Sequence, residues 1–233
     1  MVAVGYRCGL EPPRVDLREE QTVTLEQPRR RYGIPARVLF LTMNVVYGRT
    51  SSIPTFRVLE VVARVPYQAW ESVAYVAETH TYGSPTVARR IHDRVEEARH
   101  QQDNELWHLL ILEEMLHRSG HQPRLLRDRV LPQILAFVYY QISWLLYVVR
   151  PTMSYRLNAD FEDHAEHTYM EFVRDHPDLE DAPWDSEFAT DYGHHDNIAG
   201  LLRRIALDER EHKESSEERM THARFDSRTE HAA

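Results

Sequence analysis

The stretch Asn104-Glu105-Leu106-Trp107-His108-Leu109-Leu110-Ile111-Leu112 sets a carboxylate and an imidazole three positions apart inside an apolar run. On a helix, positions three apart share a face. The stripe containing Glu105 runs on through Ile91, Val95, Ala98, Gln102, Leu109, Leu112 and Leu116. Steps of three and four residues mark the face that a helix turns to a bundle core. Glu105 therefore stands where packing calls for an apolar side chain.

The same anomaly recurs in three other stripes. Ile53, Phe56, Ala63, Tyr67, Trp70 and Ala74 enclose Glu60; Tyr155, Asn158, Ala165, Tyr169 and Phe172 enclose Glu162; Ile198, Leu202 and Ile205 lead to Glu209 and His212. One buried carboxylate is neutralised by a proton or an arginine, but four in one core are too costly to neutralise that way. Two divalent cations balance them. Two lone glutamates with two Glu-x-x-His pairs, here Glu105–His108 and Glu209–His212, form the pattern of di-iron and di-manganese bundles. Spacing alone is weak support, since Glu97–His100 and Glu114–His117 share it. His100 and His117 fall opposite the Glu105 face and are expected in solvent.

Outward from these motifs, helices are expected over 53–79, 86–116, 124–149, 152–174 and 190–214, with a short apolar helical stretch over 36–47. No segment alternates long enough for a sheet, so the fold class is all-α: a ferritin-like four-helix bundle with additional short helices. Residues 1–34 read as a polar arm, extended or loosely ordered to about Tyr32. Residues 35–216 form the bundle domain, 175–187 an acidic loop and 217–233 a polar tail. The 233 residues suffice for one helical domain. A net charge of -9 argues against nucleic acid as a partner. Cys8 is the single cysteine, which excludes an internal disulfide and fits a reducing compartment. The residues after Met1 carry no apolar core of a secretory signal.

Val130 to Val149 holds no charged residue and is long enough to span a bilayer. A single span there would separate Glu60 and Glu105 from Glu162 and Glu209, so the segment is expected to lie in the membrane interface while belonging to the bundle. Tyr140, Trp144 and Tyr147 are spaced to meet the headgroups.

These residues resemble the alternative oxidase family, its plastid terminal oxidase branch above all. The resemblance rests on Leu59-Glu60 with Ala63-Arg64-Val65-Pro66-Tyr67, on Asn104 to Leu110 followed by Glu113-Glu114, on Glu162 with His167-Thr168-Tyr169 and Glu171-Phe172, and on Asp208-Glu209-Arg210-Glu211-His212. It implies two iron ions on Glu60, Glu105, His108, Glu162, Glu209 and His212, with Tyr169 as a catalytic residue beside them. It implies non-electrogenic transfer of electrons from a membrane quinol (plastoquinol, ubiquinol or menaquinol) to dioxygen, giving water. It implies a homodimer bound monotopically to the inner or cytoplasmic face of a respiratory or photosynthetic membrane. The chain departs from the family at Thr55 and Ala206, where arginines are usual; the first is thought to contact the quinol head group. It also carries extra residues before Asn104 and a shorter loop after Arg174. A di-iron quinone hydroxylase is the nearest alternative, and a ferritin-like storage or peroxide-scavenging protein the next.

Overall fold

The structure is a computed structural model that describes residues 15–222. Its helices are α1 (Leu17–Glu26), α2 (Ile34–Tyr47), α3 (Ile53–Ala63), α4 (Val65–His80), α5 (Pro85–Arg118), α6 (Leu131–Val149), α7 (Pro151–Asp175), α8 (Ala189–Tyr192) and α9 (Ile198–Thr221). No strand occurs among the described residues. Pro35, Pro54, Pro66, Pro85 and Pro151 sit in the first turns of α2, α3, α4, α5 and α7. The missing N–H costs nothing there and the fixed φ suits a helix start.

α3 with α4, α5, α7 and α9 form the bundle. α7 lies along α9, α4 along α5, α3 reaches α5, and α6 lies against α4, α7 and α3. Leu112, Phe161, Ala165, Met170, Leu202 and Ile205 are fully buried between them.

Several boundaries differ from expectation. The helix expected over 53–79 is two, because Pro66 has no N–H for the ladder and the chain bends at Arg64. The helix expected from 124 opens as a π-helical turn, Leu125–Val130. The one expected over 190–214 begins only at Ile198, where Asn197 accepts from Gly200 N at 2.7 Å; Gly193, at φ 122°, separates it from α8. α9 also runs to Thr221, beyond the start assigned to the tail; residues 223–233 of that tail lie outside the described residues.

The arm is not loose where described. Asp16 caps α1 by accepting from Arg18 N at 3.0 Å and Glu19 N at 3.3 Å. Thr24 donates to Glu166 at 2.7 Å, Gln21 Nε2 to Met170 O at 2.8 Å, and Arg30 Nε to Asp160 at 3.1 Å. A polar segment rich in arginine has little apolar periodicity, but buried acids on α7 give it long-range partners. Residues 1–14 of the expected arm, with Cys8, lie outside the described residues.

α2 and α6 keep apolar faces outward. Ile34, Val38, Leu41 and Val45 are exposed on α2, and Phe137, Leu145, Val148 and Val149 on α6. The start of α2 shares a cleft with Arg150 after α6, and Arg127 before α6 donates to Tyr47 O at 3.0 Å at the end of α2. The two helices thus run antiparallel, each with an apolar face outward. Of the three aromatics expected at headgroups, only Trp144 is outward. Tyr147 is buried with its hydroxyl 3.1 Å from that of Tyr155, and Tyr140 donates to Ser72 at 3.3 Å, because their polar tips find partners inside the bundle.

Candidate metal centre

The four stripes converge. Glu60 on α3, Glu105 and His108 on α5, Glu162 on α7 and Glu209 on α9 have no exposure, and His212 on α9 is 6% exposed. Glu60, Glu105, His108 and Glu209 place one donor atom each within 4.8 Å of one another; Glu105, Glu162, Glu209 and His212 do the same. The two groups share Glu105 and Glu209, so the arrangement suits two adjacent ions with two carboxylates common to both.

The donors face one another without bonding properly. Nδ1 of His108 lies 3.4 Å from Glu60 Oε2 and 3.3 Å from Glu209 Oε1; Nδ1 of His212 lies 2.7 Å from Glu105 Oε1. Yet both Nδ1 atoms, both oxygens of Glu105 and Glu209, and Oε2 of Glu60 and Glu162 lack aligned hydrogen bonds. Orphaned buried donors and acceptors on this scale are costly. Unpartnered donor atoms gathered within 4.8 Å of one another fit metal ligands.

The electrostatics agree. Burial, then the charge of Glu209, pushes Glu60 and Glu162 well above the ordinary carboxylate range. Glu105 feels burial too, but His108 and His212 outweigh it and hold it at about 2. Burial disfavours a charged His212, but Glu105 and Glu209 carry it to about 10; Tyr192, Asp208 and the glutamates likewise raise His108 against its burial. Without cations, protons balance the carboxylates.

Around the six donors stand residues whose roles the sequence did not disclose. Tyr67 donates to Glu162 Oε1 at 2.6 Å and accepts from Asn158 Nδ2 at 2.9 Å. Nε2 of His108 donates to Asp208 Oδ2 at 3.2 Å, and Tyr192 donates to the same oxygen at 2.5 Å. An acid bonded to the far nitrogen of a ligand histidine fixes its tautomer and orientation. The available signals were slight: Tyr67 and Asn158 lie on the ligand stripes, and Asp208 adjoins Glu209. Tyr192 gave none, because its segment read as plain helix.

Tyr169 is fully buried and its phenol donates to Glu60 Oε1. Burial first, then the facing carboxylates, keep both Tyr67 and Tyr169 protonated. His100 and His117 are exposed and away from the cluster. Their partners have structural work instead: Glu97 accepts from Ser215 at 2.8 Å and from Arg219, and Glu114 accepts from Ser186 at 2.6 Å. A third acidic group, Asp163, Glu166 and His167, is already served by cations, with Lys213 Nζ 2.5 Å from Glu166 and 3.7 Å from Asp163.

A cavity of about 280 Å³ opens beside the cluster between α2, α3 and α7, lined by Met43, Tyr47, Thr55, Phe56, Leu59 and Thr168 among others. Phe56 stacks on Tyr169 at 4.1 Å between ring centres, so one aromatic layer joins the cavity wall to the Glu60 side of the centre. Arg57 is absent from it. Its guanidinium is buried and donates to Glu113 at 2.9 Å and to Asp128 O at 3.0 Å.

Fold and donor set define a helical bundle of the carboxylate-and-histidine class that holds paired metal ions. A family model described as Alternative oxidase matches residues 36–220. The chain belongs to the alternative oxidase family. It is similar to ubiquinol oxidase 4, chloroplastic/chromoplastic, of Arabidopsis thaliana, with 33% identity over 141 residues, which cover 58% of this chain and 37% of that relative.

Proposed function

We propose that the protein is a di-iron quinol oxidase that passes electrons from a membrane quinol to dioxygen and releases water. The observation that carries this reading is the convergence of four buried glutamates and two histidines whose ligand atoms have no other partners. Family membership and a relative named as a ubiquinol oxidase support the substrates. Glu60, His108 and Glu162, Glu105, Glu209 and His212 would hold the irons. When bound, the pair supplies the redox chemistry that no side chain here offers.

The chain's own residues do the rest. The cavity at Thr55, Phe56 and Leu59 suits a quinol ring, and lies next to the Tyr169–Glu60 pair. Tyr169, held by Glu60, is placed to relay a proton and an electron between cavity and metal centre. Thr55 offers a hydroxyl where the family usually has arginine, and that hydroxyl donates to Ser52 O at 2.7 Å. Arg29 and His164 also line the cavity and offer polar contacts in its place.

The quinol would arrive from a membrane. Leu125–Val149 is long and apolar enough to cross one, but α5 before it and α7 after it both contribute to the same cluster. That supports an interfacial helix pair, α2 with α6, over a spanning one. The homodimer belongs to the same reading, as does attachment to the inner or cytoplasmic face.

Metal analysis tests the assignment. The purified protein is expected to hold about two irons per chain, and Glu162→Ala to lose them while keeping its helical content. Stoichiometric zinc, or iron indifferent to that substitution, would refute it.

A further inference from the structure

The apolar pair α2 and α6 has an unusual rim for a protein of net charge -9. At the start of α2 and the junction of α6 with α7, a cleft of about 430 Å³ is walled by Ile34, Pro35, Met153 and Leu157 and flanked by Arg150 and Arg156. Arg156 also borders a neighbouring cleft of about 400 Å³ with Arg30 and Arg31. Arg31, Arg150 and Arg156 are exposed, and their side chains have no ion pair or hydrogen bond with any described residue. Asp160 also lines the larger cleft, but it and the neighbouring Glu217 are already engaged. Asp160 accepts from Gly33 N at 2.7 Å and from Arg30 at 3.1 Å, and Glu217 pairs with Arg30. α7 begins at Pro151, so the positive end of its dipole adds to the three guanidinium groups.

We propose that these two adjoining clefts, joined at Arg156, bind the phosphodiester headgroup of an anionic phospholipid, with Arg31, Arg150 and Arg156 as its cationic contacts. Guanidinium forks match phosphate oxygens in pairs. The rim passes directly into exposed apolar surface, with Ile34 at 78%, Val149 at 65% and Met153 at 40% exposure. A lipid satisfies both features, its acyl chains lying along α2 and α6, whereas a soluble anion would use only the charges. The site would fix the orientation of the bundle on the membrane and make attachment depend on lipid composition. The inference rests on the membrane reading above.

Flotation with vesicles separates the two. Wild-type protein is expected to bind phosphatidylcholine vesicles and to bind about a hundredfold more tightly once phosphatidylglycerol is included, since three arginines meet the anionic surface. The variant Arg31→Gln/Arg150→Gln/Arg156→Gln should lose that increment and keep its phosphatidylcholine binding and its thermal melt. A control triple at the other end of the pair, Arg49→Gln/Arg124→Gln/Arg129→Gln, removes equal charge and should keep most of the increment. Equal loss in both triples would mean a delocalised attraction and overturn the site. Inorganic phosphate abolishing the increment, at ionic strength matched with chloride, would make it a free-anion site and overturn the lipid. Binding to phosphatidylcholine without any increment sinks this inference alone; no binding to either vesicle sinks the membrane reading with it.

Discussion

Tyr67 holds one oxygen of Glu162 at 2.6 Å and leaves the other, Oε2, without a partner. Tyr169 does the same for Glu60, whose Oε2 is likewise unpartnered. The two glutamates that lack a histidine three residues on are thus each oriented by a phenol from another helix. The pairs are alike in chemistry and differ in what lies behind them. Tyr169 is backed by Phe56 and the cavity, Tyr67 by Asn158 and the packed ring of Trp70 at 5.2 Å.

Tyr67→Phe should therefore act on metal retention. Removing a hydrogen bond that orients a ligand typically costs ten- to a hundredfold in metal affinity. Competition with a chelator would measure it, and unchanged retention would mean that packing alone fixes Glu162.

Tyr169→Phe should spare the metal and impair turnover. The ring volume and its stacking on Phe56 remain, so folding and iron content should stay close to wild type while quinol oxidation falls by about a hundredfold or more, the scale of a lost proton-transfer group. Near-normal oxidation would reduce Tyr169 to a packing residue.

Metal uptake should release protons. In the metal-free centre burial and neighbouring carboxylates keep Glu60 and Glu162 protonated, and Glu105 and Glu209 hold His212 protonated to about pH 10. Glu60, Glu162 and His212 must each shed a proton to bind, so affinity rises with pH and weakens as pH falls through neutrality. Calorimetry of ferrous iron binding in buffers of different ionisation enthalpy would count the protons. An enthalpy independent of buffer would contradict the protonation pattern.

The carboxylate anomalies were legible because their spacing is local: a helix repeats every 3.6 residues, and a glutamate in a core stripe stands out in one dimension. The breaks were less so. Pro66 could have marked the bend at Arg64, but proline is also at home in the first turn of a helix, and the apolar pattern runs on through it. α1 escaped because its partners, Glu166 and Met170, lie more than a hundred residues away. The inward turn of Tyr147 depends on Tyr155, which no periodicity could supply.

The proposed contact of α6 with lipid is testable. Phe137 and Leu145 are 66% and 55% exposed, whereas Leu146 packs against the core. Phe137→Glu with Leu145→Glu should move the protein into the soluble fraction with its melt preserved, because each charge opposes interfacial burial. Leu146→Glu should instead lower the melt. Retention of the double variant on membranes would place the contact elsewhere.

The fate of oxygen tests the central claim most directly. Purified, iron-loaded protein would be given plastoquinol, ubiquinol or menaquinol and isotopically labelled dioxygen. For complete reduction, the four-electron balance requires one dioxygen consumed for every two quinols, with the label in water and little peroxide. Label in the quinone ring would make the protein a hydroxylase, and oxygen uptake indifferent to every quinol would contradict the oxidase.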